Sequence, residues 1–332
     1  MEIRSLLQTH WEISPSQVVP IAIGLINQTW LVRSATSDYI LQQINTEVFK
    51  EPAVLQQQLV DLSAAIKLPS LVPLDYCLSP DGAALTQVEG KTFRLLKAIS
   101  PSTTLQTATV QNARLAALAL LEFQAALGAV SIEEWKPPIP RFLDVEFRLT
   151  SFENAKTLAS PSRKSLALEL ITAIETQWPA LLAWKQLSDG AEKVLIHADP
   201  KLSNFLFHPN GKQVRALIDW DTIQLGSPYY DYADMMRSFC SHGEEADAQK
   251  PLFKEEIFEA LAVTFGGDQE KLFIATMGVI LVQATRFLTD YLQDDIYYKV
   301  NDALHNLRRA ANQLRLAEEL NNYWLTTRKQ AR

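Results

Sequence analysis

The chain has 332 residues, 47% hydrophobic and 21% charged, an ordinary globular composition over more length than one small core needs, so two lobes are expected. A net charge of −7 argues against an extended nucleic-acid or anionic-membrane footprint, and two cysteines (Cys77, Cys240) with five scattered histidines offer neither a disulfide framework nor a zinc constellation. Met1-Glu2-Ile3-Arg4 lacks the apolar core of a signal peptide and no apolar run reaches about 18 residues, so the expectation is a cytoplasmic protein without a membrane span.

In chain order, residues 1–18 read as a helix and a turn ending at Ser14-Pro15-Ser16. Val18 to Ile23, Trp30 to Arg33 and Tyr39 to Ile44 read as three antiparallel strands. The first turn carries Gly24, Asn27 and Thr29, which suits either a lid whose backbone N–H groups approach phosphates or a plain hairpin; the full G-x-G-x-x-G is absent. Residues 51–66 have Val54, Leu55, Leu59, Leu62 and Ile66 at helical spacing, and Pro69 and Pro73 end that helix. Strands follow around Leu74–Leu78 and Ala84–Val88, then an extended run from Lys91 to Ile99 that Ser100-Pro101 stops. Such a sheet with one helix and then a crossing segment is the plan of a kinase N-terminal lobe. Residues 1–98 are therefore assigned to a nucleotide-binding lobe, and 99–332 to a helical lobe with the catalytic loop and acceptor site. Helical patterns cover 107–127, 141–155, 161–187, 229–239, 252–264, 268–293 and 300–325, with a polar loop at 243–250. Within 229–239, Asp231, Asp234 and Arg237 share one helix face.

The chemistry-bearing stretch lies between these helices. Val194-Leu195-Ile196 reads as a short buried strand that stops at His197-Ala198-Asp199; Asn204 follows and opens a second apolar burst, Phe205-Leu206-Phe207. A turn with Asn210-Gly211 leads to a third strand, Val214 to Ile218, which delivers Asp219 and Asp221. Phosphoryl transfer from ATP asks for this set. One Asp accepts the hydroxyl proton, while an Asn and a further Asp hold Mg²⁺, an ion that keeps several waters and needs few protein ligands. The spacing H-x-D-x₄-N is that of a kinase catalytic loop, with Ile218-Asp219 as the metal-binding strand end. The plain alternative is a hairpin with polar ends.

Ile196-His197-x-Asp199 with Asn204-x-x-Phe207, Ile218-Asp219-Trp220 and Gly226-x-Pro228-x-x-Asp231 resembles the aminoglycoside phosphotransferase and choline kinase superfamily. A narrower similarity, to the N-acetylhexosamine 1-kinase group, rests on Tyr39 to Asn45 with Val48-Phe49, Asp219 to Thr222 with Asp231-Tyr232-x-Asp234-x-x-Arg237, Arg286 to Leu292 with Asp295-x-Tyr297, and His305 to Ala310. It covers roughly residues 20–320. The resemblance implies an α+β, bilobal protein-kinase-like fold with a small antiparallel-sheet N-lobe and a mostly helical C-lobe. It implies ATP and Mg²⁺ as cofactors and a sugar hydroxyl as acceptor, at the anomeric position of an N-acetylhexosamine or a related sugar.

By residue, it implies Asp199 as base, Asn204 and Asp219 as metal ligands, and Arg286 and Tyr297 as acceptor contacts; Gly24, Asn27, Thr29, Gln42 and Lys97 are taken as nucleotide contacts and Asp221 as a further acceptor contact. Each has a second reading. Asp221 also suits a second metal ligand or a strand-end cap, Arg286 an ion pair with Asp290 one turn on, and Tyr297 a half-buried aromatic. His197 is read as holding the loop by a backbone hydrogen bond, Asp231 as fixing it from behind, and Lys201 as a γ-phosphate contact or an exposed lysine. The chain departs from the kinase pattern at three places: Gln42 stands where a strand lysine grips phosphates, Ala198 replaces a commoner Gly or Asn, and Pro200 removes an N–H donor from the loop. The alternatives to a sugar kinase are a kinase of another small alcohol, of aminoglycoside, choline or homoserine type, and an inactive kinase-fold binding protein.

Overall fold

The structure is a computed structural model that describes residues 2–21, 26–133, 135–241 and 253–330, with side chains to residue 327. Gly24 and the polar stretch 243–250 lie outside the described residues.

The first lobe holds α1 (Ile3–Trp11), β1 (Gln17–Ile21), β2 (Gln28–Arg33), β3 (Asp38–Ile44), α2 (Pro52–Ala65), β4 (Tyr76–Cys77), β5 (Thr86–Val88) and β6 (Lys91–Lys97). Its strands form one antiparallel sheet in the order β1-β2-β3-β6-β4, with β5 on β6. Strand side chains alternate between faces. On one face Leu6, Leu7 and Trp11 of α1 pack against Val32, Leu41, Phe93 and Leu95. The other face presents Gln42 and, in register with it, Arg94. α2 starts on Pro52, whose missing N–H costs nothing in the first turn, and buries Leu55, Leu59 and Leu62.

The second lobe opens with α3 (Val110–Leu127) and α4 (Val145–Leu158), whose N-caps Thr109 and Asp144 accept from the N–H groups of Asn112 and Phe147. The helix expected over 161–187 is two, α5 (Pro161–Thr176) and α6 (Trp178–Gly190). Pro179 lacks the N–H that would continue the ladder and is at home only in a first turn, so a new helix starts there. Next come β7 (Val194–Ile196), β8 (Phe205–Phe207), β9 (Val214–Leu217), β10 (Gln224–Gly226), α7 (Pro228–Phe239), α8 (Glu255–Phe265), α9 (Gln269–Leu292) and α10 (His305–Gln330). β8 and β9 form the hairpin, while β10, a strand the sequence reading did not contain, pairs antiparallel with β7. β10 thereby clamps the strand that runs into His197-Ala198-Asp199.

α9 is long and apolar enough to cross a membrane by length and composition, yet most of it is buried in this lobe. It packs on α10, α7, α6 and α4. Its Gly278 lies directly under Trp184 of α6, where any side chain would overlap the indole.

Candidate active site

β7 hands the chain to His197, Ala198 and Asp199. Ala198 sits at φ 63°, a left-handed conformation that costs a non-glycine residue about 1–2 kcal/mol. Asp231, fully buried at the start of α7, stabilises it: Oδ2 accepts from His197 N at 2.9 Å and Oδ1 from Ala198 N at 2.8 Å, with Gln124 Nε2 donating at 3.0 Å. Burial pushes the Asp231 carboxyl up, against His197 and these hydrogen bonds, which favour the anion. The His197 ring bridges two backbone groups. Its Nδ1 accepts from Asp199 N (3.2 Å), so Nε2 carries the proton and donates to Ile218 O (2.9 Å). Complete burial lowers its pKa, so the ring is a neutral brace.

Asp199 is only partly buried and lines the cleft between the lobes. Its Oδ2 accepts from Lys201 Nζ at 2.6 Å and from Asn204 Nδ2 at 3.1 Å, and the same Asn204 nitrogen donates to Asp199 O at 2.8 Å. With its amide nitrogen turned to Asp199, Asn204 has its oxygen left for a cation. Asp219 follows β9 in a left-handed conformation, φ 67°. Among the described residues its carboxylate takes no hydrogen bond and no ion pair. Burial, reinforced by Asp221 and then by Asp199 against the pull of Lys201, pushes the Asp219 carboxyl up to about 6. The backbone joins the two positions, Ile218 N donating to Asn204 O at 2.8 Å, and a carboxylate without a protein partner together with an amide oxygen is a donor set of hard oxygens, which fits Mg²⁺ bound chiefly through phosphates and water.

From the first lobe, Asn27, Thr29 and Gln42 line the cleft. Both ends of the Asn27 amide are engaged, Nδ2 with Asp221 Oδ2 (2.8 Å) and Oδ1 with Asn45 N (3.0 Å). Gln42 Nε2 lies 3.5 Å from Thr29 Oγ1. Lys97 is a correction: it is not brought into the cleft, because the last residue of β6 sits at the surface and its exposed ammonium pairs with Asp75 at 2.8 Å.

Asp221 lines the same cleft. Read as an acceptor contact, it is buried, 1% exposed, and both its oxygens are held by Arg94 at 2.6 and 2.8 Å. The sequence reading missed Arg94. The available signal was a lone charge in the apolar run Thr92-Phe93-Arg94-Leu95-Leu96, since such residues are almost never fully buried without a partner.

Arg286 and Tyr297 do reach the cleft, with Phe142, Tyr230, Gln283 and Tyr298. Arg286 does not pair with Asp290, which is taken by the Tyr297 and Tyr298 N–H groups (2.8 and 3.0 Å) and Asn306 Nδ2 (2.9 Å). Instead its Nη1 donates to Gln283 Oε1 at 3.1 Å, and its guanidinium carbon sits 4.7, 5.6 and 5.9 Å from the ring centres of Phe142, Tyr298 and Tyr297. The other acidic group at this end, Asp234, is closed by Arg237 at 2.8 Å. A roomier groove between α5 and α10, lined by Glu169, Thr176, Arg315 and Glu318, contains none of these groups.

A catalytic-loop carboxylate, an Asn–Asp oxygen pair and a lobe-to-lobe cleft together define a kinase-like phosphotransferase. A model of the phosphotransferase enzyme family (APH) matches residues 17–272, and the chain belongs to that family. Among solved structures, it is similar in fold to a microcompartment-associated aminopropanol kinase (TM-score 0.67, 14% identity, 95% of this chain and 96% of that one). It is similar also to a spectinomycin phosphotransferase solved with ADP and spectinomycin (TM-score 0.61, 14% identity, 96% and 97%). In sequence it is 25% identical over 240 residues to a probable acyl-CoA dehydrogenase, IBR3, of Arabidopsis thaliana, covering 68% of this chain and 26% of that protein. The chain thus spans about a quarter of the length of the curated relatives it matches.

Proposed function

We infer that the chain transfers the γ-phosphoryl group of ATP to a hydroxyl of a small polar molecule, a sugar, at the anomeric position of an N-acetylhexosamine or a related one. One observation carries the acceptor reading: Arg286, Tyr297 and Tyr298 line the same cleft as Asp199, although they are distant in sequence. Ring faces, a guanidinium fork and an amide suit a neutral, hydroxyl-rich acceptor. A cationic acceptor such as an aminoglycoside or amino alcohol asks for free carboxylates. At this end Asp234 is paired with Arg237, Asp221 with Arg94, and Arg286 adds positive charge. The inactive-protein alternative is disfavoured by the intact set Asp199, Asn204 and Asp219.

In this reading the Asp199 carboxylate orients the acceptor hydroxyl and takes its proton as the oxygen attacks the γ-phosphorus and ADP leaves. Lys201, 2.6 Å from Asp199 Oδ2, holds that carboxylate in place. Asn204 Oδ1 and the Asp219 carboxylate would hold Mg²⁺, which supplies charge neutralisation on the phosphates. The neighbouring structures with ADP and with AMP-PNP and Ca²⁺ support a nucleotide and a divalent cation in this fold. An ATP-consumption screen across N-acetylhexosamines, hexoses, aminoglycosides and amino alcohols tests the assignment, with product phosphorus NMR to locate the phosphate. The expected result is turnover on an N-acetylhexosamine with an anomeric phosphate; turnover confined to the cationic acceptors would overturn the sugar reading.

A further inference from the structure

The strand lysine is absent from β3, and Arg94 stands directly across the ladder from Gln42. Arg94 Nε donates to Gln42 Oε1 at 2.8 Å, its Nη1 and Nη2 fork onto Asp221 at 2.6 and 2.8 Å, and Nη1 lies 3.4 Å from Gln56 Oε1 on α2. Asn27, from the turn before β2, completes the cluster through Asp221 Oδ2 at 2.8 Å. The Arg94 side chain is 3% exposed and that of Asp221 2%. One buried cluster therefore ties β3, β6, α2 and Asn27 of the first lobe to the segment of the second lobe that carries Asp219.

We propose that Arg94 is the positioning residue that takes the place of the missing strand lysine: through Asp221 it seats Asp219 against the first lobe and so governs how Mg²⁺ and the phosphates are held. The proposal rests on the ATP and Mg²⁺ reading above. Three carboxylates, Asp199, Asp219 and Asp221, converge on the cleft, and the bidentate pair neutralises Asp221. Asp219 is left as the carboxylate without a protein partner among the described residues. Asp219 and Asp221 are joined by a single tight turn, Trp220–Thr222, whose far end is fixed by Thr222 Oγ1 donating to His197 O at 2.9 Å. Pinning the Asp221 side chain thus pins the left-handed backbone at Asp219. A lysine on β3 would bring a point charge to the phosphates; a planar guanidinium fork matches a carboxylate. The cation therefore works from behind the metal ligand.

The test is calorimetric binding of ATP, with saturating Mg²⁺ and with EDTA, alongside the ligand-free melting midpoint. The variants are Arg94→Lys, which cannot fork, and the double variant Arg94→Met with Asp221→Leu. The double variant exchanges the buried pair for apolar side chains, a change folds commonly tolerate. It should fold and lose about tenfold or more of the Mg²⁺ enhancement of ATP affinity, the usual worth of a group that orients a metal ligand, with affinity in EDTA unchanged. Arg94→Lys should lose about threefold or more, because one contact replaces two. A folded variant that keeps the parent's Mg²⁺ enhancement overturns the proposal and leaves the kinase reading intact; a parent with no Mg²⁺-dependent ATP binding overturns both.

Discussion

At Asp219 burial and two neighbouring carboxylates hold the carboxyl at about 6, against an ordinary 3.8. With its pKa raised in the fold, its contribution to folding stability is full below about pH 4 and is lost as pH rises through about 6. For a metal the sense reverses, since Mg²⁺ needs the carboxylate and its proton must leave. Mg²⁺-dependent ATP binding should therefore weaken by about tenfold per pH unit below about 6, and Asp219→Asn should remove that step while binding MgATP weakly throughout. Calorimetry of both proteins across this range gives the comparison, which also cancels the titration of ATP itself. Parallel curves for the two would show that Asp219 is not the ligand. His197 stands in contrast: buried and neutral, it braces the loop while Asp231 holds the neighbouring N–H groups.

Among the elements, α9 and α6 are brought together by the missing side chain at Gly278, and Arg286, which lines the cleft, projects from the same helix two turns on. Gly278→Ala would push a methyl into Trp184, at a cost of about 1–3 kcal/mol of stability. The urea midpoint should fall with an unchanged slope; a variant as stable as the parent would mean that the helices separate freely. The long helices and the first three strands were legible because their periodicity is local. The split at Pro179 was readable in principle, but the apolar pattern on either side reads as one helix. β10 was not legible: Gln224-Leu225-Gly226 is too short for a pattern, and only its partner β7 makes it a strand. Within the site, Asp199, Asn204 and Asp219 announce themselves by spacing. Arg94 was missed, and the ion pair that holds Asp221 with it, because the two lie 127 residues apart in the chain, which no local window contains.

For the molecule as a whole, the proposed reaction takes place in a cleft between two lobes, where Asp199 takes the proton of an acceptor hydroxyl and the phosphates are held between Asn204, Asp219 and the first lobe. Asp231 and Arg94 brace these groups from behind, and α9 brings Gln283 and Arg286 to the cleft wall. Asp199→Asn most directly tests this, because the change preserves size and leaves the Asp231 and Arg94 clusters untouched. The measurement is phosphorylated acceptor formed from ATP, followed by mass spectrometry, together with calorimetric ATP binding. The account predicts a parent that forms product and a variant that binds MgATP as well but turns over roughly 10²–10⁴-fold more slowly. A variant that forms product at near the parent's rate would contradict it.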